Sequence, residues 1–272
     1  MSIKLVTNEK IAETSSKGNQ EKWLDDNTWY KLDQFGYEAL AEVFTSKLLE
    51  YGNIEKETPF TFVRYNISKV NVHGFERVCC TSKNFLKKGY SIITLNTLLS
   101  KELGVPVREK LERLTSDKKR IEYLVDATTE VTALKDFDKY ITLLFEIDSL
   151  ILNDDRHLNN IAVLEKGGSF DYCPIFDNGA GLLSNMQILR SDIEPKALMK
   201  SVCASPFNMT FNRELKAVRG LYGSVINLPS FSDDELRIIL HKLLDYYPQR
   251  DRDVISNRVI TCILNRQREL KI

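Results

Sequence analysis

Cysteine is scarce in this chain and badly arranged for any structural use. There are five, two of them the adjacent Cys79 and Cys80. Their number is odd and no CxxC spacing occurs, which argues against a disulfide framework and a zinc site and points to a reducing compartment. Net charge is missing too: 38 Lys and Arg balance 38 Asp and Glu, so no bulk field draws the protein to nucleic acid or to an anionic membrane. Long apolar runs are also lacking. The first residues, MSIKLVTNEKIAETSS, have no apolar signal-peptide core, and the most apolar later run, YITLLFEIDSLIL, is interrupted by Glu146 and Asp148. The expectation is a cytoplasmic chain with no export signal or membrane anchor. Neither an internal repeat nor a low-complexity linker occurs. The 272 residues suffice to bury a substantial core, as two packed lobes or one large domain.

What is present divides by pattern near residue 95. In residues 1–95, KWLDDNTWYKLD carries two aromatic-bearing runs around Asp25-Asp26-Asn27, which predicts a hairpin. GYEALAEVFTSKLLEYG repeats apolar residues at helical spacing, and FTFVRYNISKVNV and FERVCCTSKNF read as strands. In residues 96–272 the period is mostly helical, with Ser116 and the Ser232/Glu235 capping box as helix starts. One exception, IAVLEKGGSFDYCPIFDNGAGLL, predicts a lone hairpin around Gly167-Gly168 that runs into Asp177-Asn178-Gly179. The expected fold is α+β: a small sheet-rich N-lobe with one helix and a larger helical C-lobe.

The chemistry concentrates in LILNDDRHLNNIAVL. Two carboxylates, an imidazole, a guanidinium and three carboxamides fall within the eight positions Asn153 to Asn160. Asp155 and Asn160 have the Asp-x-x-x-x-Asn spacing of a protein-kinase-like catalytic loop. Phosphoryl transfer explains that spacing. One carboxylate accepts or orients the proton of the attacking hydroxyl, and a carboxamide oxygen binds magnesium without adding negative charge beside the phosphates. A further carboxylate must reach the metal from a separate element, and Asp177, brought back by the hairpin, meets that need. His157 is expected to support the loop rather than to carry the proton. Lys31, on the second strand of the first hairpin, is the candidate cation for the nucleotide phosphates, with Glu38 or Glu42, about one turn apart, as its partner on the following helix, Glu38 being the one expected from its position. Alternation places Trp29 and Lys31 on one face of that strand.

NDDRHLNNIAVL followed by PIFDNG resembles the HipA-like serine/threonine kinases of bacteria. Phosphatidylinositol kinases share a related Asp-Arg-His-x-x-Asn loop, but SSKGNQEKW also resembles the HipA-like phosphate loop, with Ser15, Gly18, Gln20 and Lys22 at matching positions. The resemblance implies an ATP- and magnesium-dependent enzyme with a two-lobed protein-kinase-like fold. It implies Asp155 as catalytic base and Asn160 and Asp177 as magnesium ligands. The loop of Ser15, Ser16, Lys17, Gly18, Asn19 and Gln20 would lie over the ATP phosphates. It further implies autophosphorylation at Ser15 or its neighbour Ser16, where a phosphate would compete with ATP for the same donors.

The resemblance also implies a protein substrate and two settings, a toxin–antitoxin system with an antitoxin as partner or a bacterial effector, the second of which leaves secretion open beside the cytoplasmic expectation. Only residues 1–14 precede the phosphate loop, so the expectation is a short kinase core without the family's N-terminal subdomain. Gly18 is the one glycine of that loop, fewer than a protein-kinase glycine-rich loop uses. Two other functions use the same loop logic or the same fold: a small-molecule kinase of the aminoglycoside type and a catalytically silent pseudokinase that binds a partner.

Overall fold

The computed structural model describes residues 20–72 and 74–271. β1 (Lys22–Asp25) and β2 (Thr28–Leu32) form the expected hairpin, turning through Asp26 and Asn27 at φ 40° and 64°. Left-handed backbone is what a tight hairpin turn needs and what Asp and Asn tolerate better than most residues. With β3 (Asn66–Val72) and β4 (Phe75–Lys83) they build an antiparallel sheet in the order β1-β2-β4-β3. Alternation sorts its faces. Trp23, Leu32, Val70, Val72 and Cys79 make a small core on one side, where Trp23 stacks on Tyr30 at 5.2 Å. Lys31, paired in register with Cys80, points the other way, toward helix α1 (Glu38–Leu49).

The strand expected from Phe60 onward begins only at Asn66. Thr61 and Val63 instead exchange backbone hydrogen bonds with Ile175, while Phe60, Phe62, Val63 and Tyr65 are buried in the main core. This short parallel bridge ties the sheet part to the segment that carries Asp177.

Every residue of α1 except Lys47 is buried, so its position is fixed from all sides. Its N-terminus is anchored by Asp33, whose Oδ1 accepts the Ala39 N–H at 2.6 Å and whose Oδ2 accepts the Tyr247 hydroxyl at 2.7 Å. Satisfying a free helix N–H with a carboxylate is a strong form of N-capping.

After a short α2 (Ile54–Glu57) and the sheet, the larger helical part begins at β5 (Ser91–Thr94). It contains α3 (Leu95–Leu103), α4 (Val107–Glu112), α5 (Asp117–Thr132), α6 (Phe137–Ile151), α7 (Pro195–Leu198), α8 (Phe211–Tyr222), α9 (Asp233–Leu244) and α10 (Gln249–Leu270). Ser116 caps α5 by accepting the Lys119 N–H, and Ser232 with Glu235 forms the capping box of α9. The inserted hairpin, β6 (Ala162–Lys166) and β7 (Ser169–Tyr172), is not alone: β5 pairs with β6 to make a three-stranded antiparallel sheet. The chain thus leaves the first sheet at Lys83 and enters the second at Ser91, against the strand that follows the polar loop.

Helix α6 lies at the centre, with almost no solvent-exposed face. Its two buried carboxylates are satisfied by specific partners. Glu146 accepts from Arg219, Ser224 and the backbone N–H groups of Val225 and Ile226, and Asp148 is paired with Arg156. The acidic residues that interrupt the apolar run are therefore ties between elements. Among the described residues no helix is long and apolar enough to cross a membrane.

Candidate active site

Helix α6 ends at Leu152, in the left-handed region at φ 57°, with the Asn153 N–H returning to the Asp148 carbonyl at 3.0 Å. Left-handed backbone at a non-glycine residue costs on the order of 1 kcal/mol and is held only by its surroundings. Here the surroundings are polar and buried. The Arg156 guanidinium, fully enclosed, grips both oxygens of Asp148 at 2.9 and 3.0 Å and donates to the carbonyls of Asn160 at 3.3 Å and Phe176 at 2.6 Å. Its remaining donor reaches Asn178 Oδ1 at 2.7 Å. One side chain thus joins the end of α6, the polar loop and the segment after β7. Asn153 adds to the tie, with its amide donating to Asp148 at 2.9 Å and to the Asp177 carbonyl at 3.4 Å.

Within this frame Asp155 is exposed at the cleft while Asn160 is largely buried. The Asn160 amide donates to the Asp155 carbonyl at 2.9 Å, which fixes the carboxamide and leaves its oxygen, an acceptor, for another partner. Although its side chain is open to solvent, the cleft walls around Asp155 displace part of its hydration and push the carboxyl above its ordinary range. His157 works against the rise, and the charge of Asp177 adds to it. Next to it, the cleft walls and the charge of Asp155 push Asp154 up to about 6. His157 Nε2 lies 3.8 Å from Asp155 Oδ1, beyond hydrogen-bond reach, and its Nδ1 is buried without a partner among the described residues. The loop's shape is held by Arg156 and Asn153 rather than by a bond from that ring nitrogen.

Asp177, at φ 64°, faces the sheet. Lys31 Nζ lies 2.5 Å from Asp177 Oδ1 and 2.5 Å from Glu42 Oε1. Glu42 is fully buried, and its second oxygen accepts the Asn178 N–H at 2.8 Å, so α1 grips both the lysine and the Asp-Asn-Gly segment. Gly179 permits that approach: a Cβ there would sit 3.3 Å from Glu38 Cβ. Burial opposes the Asp177 charge, but the Lys31 ammonium outweighs it and brings the carboxyl down to about 2. Burial likewise opposes the charge of Lys31, and Asp177 and Glu42 hold it well above the usual lysine value.

Glu38 does not take the lysine. Its carboxylate accepts the backbone N–H groups of Gln34, Phe35 and Gly36 at 3.3, 2.7 and 3.1 Å, folding the β2–α1 connection, although it still lines the cleft. The pairing with Lys31 therefore belongs to Glu42. Glu38 sits one turn earlier on α1, beside the loop whose N–H groups converge on it.

A cavity of about 970 Å³ gathers Gln20, Lys22, Lys31, Glu38, Asp155, His157, Asn160 and Asp177 on its walls. Gln20 is positioned by its amide, which donates to the Leu32 carbonyl at 2.6 Å. Burial lowers the Lys22 ammonium, with Asp177 acting against the fall. Ser15, Ser16, Lys17, Gly18 and Asn19 lie outside the described residues. Among the described residues no group of three or more His, Cys, Asp or Glu is arranged to hold a metal ion. One carboxylate with one carboxamide oxygen, Asp177 with Asn160, nevertheless suits magnesium, which takes one or two carboxylates and completes its shell with phosphate oxygens and water.

An antiparallel sheet joined to a larger helical part, with a lysine–glutamate pair and two polar loops at one cleft, defines a kinase-like fold. Comparison with solved structures agrees. The chain is similar to the proinflammatory kinase CtkA of Helicobacter pylori, with a TM-score of 0.60 and 14% identity, over 94% of this chain and 89% of that one. It also matches HipA of Shewanella oneidensis MR-1, solved as a toxin–antitoxin system with HipB and operator DNA, with a TM-score of 0.47 and 14% identity, over 95% of this chain and 65% of that one. The likeness is one of fold. No protein-family model matches the chain, and no curated protein matches it.

Two contributors were not legible as such. Asp148 reads in sequence as an interruption of an apolar run, and its spacing of eight from Arg156 is no recognised pairing distance. Tyr65, whose hydroxyl accepts the Asp177 N–H at 3.5 Å, reads only as a strand aromatic.

Proposed function

We propose that the protein is an ATP- and magnesium-dependent serine/threonine protein kinase of HipA-like type. The observation that carries this reading is the convergence on one cavity of the Lys31–Glu42–Asp177 network with Asp155 and Asn160. In this reading the hydroxyl oxygen of the acceptor forms a bond to the γ-phosphorus of ATP as the bond from that phosphorus to the β-γ bridging oxygen breaks. Asp155, ionised and open to the cleft, orients the hydroxyl and takes its proton. The products are a phosphoester and ADP. Lys31, held charged by Glu42 and Asp177, is the cation for the nucleotide phosphates. Asn160 and Asp177 are the residues that would hold magnesium, which when bound neutralises charge on the phosphate oxygens.

The phosphate loop from Ser15 to Gln20, and its autophosphorylation at Ser15 or Ser16, belong to the same proposal. Gln20 on the cavity wall is the part of the loop within the described residues. The toxin–antitoxin setting rests on the sequence resemblance, and a gene for a small helix-turn-helix protein beside this one would support it. The function is tested by incubating the wild type and Asp155→Asn with magnesium, γ-labelled ATP and serine/threonine peptides. Label transferred by the wild type and lost in the variant is the expected result. Undiminished transfer by the variant removes Asp155 from its role, and silence in both favours a partner-binding pseudokinase.

A further inference from the structure

The cavity that holds Asp155 has two chemically different walls. The ionisable side chains that line it come from β1, β2, α1, the polar loop and Asp177. The wall contributed by residues 183–202 is different. Leu183, Ile188, Leu189, Ile193, Leu198 and Val202 line it, interspersed with neutral polar side chains, and no charged residue of that segment is among the described lining residues. Ile188 is 76% exposed and Ile193 38%. Single exposed aliphatic residues are ordinary, but two on one short segment beside buried leucines give the cavity that holds Asp155 an apolar wall.

This wall is also prebuilt. Arg258 on α10, 1% exposed, donates to the carbonyls of Leu183, Leu189 and Arg190 at 3.0, 2.6 and 2.8 Å. The Tyr37 hydroxyl donates to the carbonyls of Leu182 and Leu183 at 2.7 and 3.1 Å. The Met186 N–H reaches the Phe35 carbonyl at 3.0 Å, and Asn185 Oδ1 accepts the N–H groups of Gln187 and Ile188 at 3.1 and 3.2 Å. At Gly36 a Cβ would come within 2.0 Å of the Ser184 carbonyl, so the segment is packed directly on the backbone before α1. A surface fixed in this way loses little entropy on binding, and its shape and polarity select the ligand.

We propose that the wall of residues 183–202 is the acceptor subsite, and that the acceptor is a peptide segment bearing an aliphatic or aromatic side chain adjacent to its serine or threonine. The inference rests on the kinase reading of the same cavity. Asp155, Ile188 and Leu189 line one cavity, so in this proposal the neighbouring side chain rests against Ile188 and Leu189 while the hydroxyl is at the carboxylate. A charged neighbour laid against Ile188 and Leu189 would give up hydration to an apolar contact, which costs more than the loss of an apolar pairing; Arg190 and Asp192 of this segment pair with each other at the exposed surface rather than on the cavity wall.

The test is a positional-scanning serine/threonine peptide library with magnesium and γ-labelled ATP, applied to the wild type, Ile188→Leu and Ile188→Asp. Ile188 is solvent-exposed, so neither substitution opens a cavity in the core; circular dichroism melts check the fold of each variant and Mg-ATP titration calorimetry checks that the nucleotide end is intact. The expected wild-type result is a preference of about tenfold or more for Ile, Leu, Met or Phe over Asp or Lys beside the acceptor. Ile188→Leu keeps the preference. Ile188→Asp loses most of it with Mg-ATP affinity unchanged. Flat flanking selectivity in the wild type, or full apolar selectivity in Ile188→Asp, overturns the inference while the kinase reading stands. Mg-ATP binding with no peptide labelled overturns the peptide acceptor. Neither binding nor labelling overturns the kinase reading itself and the inference with it.

Discussion

Arg156 and Asp148, eight residues apart across the end of α6, form an ion pair with no access to solvent, in which the guanidinium meets both carboxylate oxygens. The same guanidinium binds Asn178 and the Phe176 carbonyl, so the pair sets the distance between the loop of Asp155 and the turn of Asp177. Removing one partner leaves the other charge buried and alone. Arg156→Met is expected to destabilise the protein by about 3–5 kcal/mol, measured by urea unfolding. Arg156→Lys should recover only part of this, because an ammonium cannot reproduce the fork.

Glu42 and Glu38 lie one turn apart on α1 but serve different ends. Glu42→Gln weakens the hold on Lys31 and on the Asn178 N–H, two contacts to a charged group worth about 1.5–3 kcal/mol each. Transfer should fall by about 10- to 100-fold or more. Glu38→Gln instead loosens the connection of residues 34–36, and its main effect should be on melting temperature. Steady-state rates beside thermal melts of the two variants separate these outcomes. Equal losses of rate would contradict the assignment.

The rate should depend on pH through Asp155. Its carboxyl is raised above the ordinary range by partial loss of hydration in the cleft, with His157 opposing, so protonation removes the base as pH falls, at a pH above the usual aspartate value of about 4. Asp177, at about 2, keeps its charge over that range. A profile of kcat/KM from pH 4.5 to 8 should therefore decline on the acid side with Mg-ATP binding retained. A flat profile would show that Asp155 is not raised.

Glu214 on α8 has both side-chain oxygens buried without a hydrogen-bond partner among the described residues, and burial pushes its carboxyl well above the ordinary value. The folded protein therefore keeps its proton where the unfolded chain has lost it. That proton favours folding fully only below the unfolded value of about 4.3, and stability falls by about 1.4 kcal/mol per pH unit from there up to the raised folded value. Glu214→Gln removes this loss. Its melting temperature should exceed that of the wild type at pH 7, and the gap should close toward pH 4. A destabilised variant at pH 7 would mean the carboxylate has a charged partner.

Much of this site could be read from residue order because its chemistry is local in sequence. Asp155 and Asn160 share one loop, Gly167-Gly168 marks the return that brings Asp177 back, and strand alternation puts Lys31 on the face it occupies. The rest depends on packing between distant elements. Glu38 and Glu42 occupy the same helical stripe, and only the N–H groups converging from residues 34–36 separate them. Asp148 joins Arg156 because α6 is enclosed on all sides, and β5 joins the inserted hairpin because Ser91–Thr94 arrives beside β6. Arg258, which fixes the wall of residues 183–202 from α10, has no local signal at all.

The central claim is that one cleft binds Mg-ATP through Lys31, Asn160 and Asp177 and transfers phosphate with Asp155 as base. The most direct test measures Mg-ATP affinity and the initial rate of label transfer on the wild type and Asp155→Asn together. The account predicts a variant that binds Mg-ATP as tightly as the wild type but transfers phosphate about 10²- to 10⁴-fold more slowly. Transfer at the wild-type rate by Asp155→Asn would contradict it.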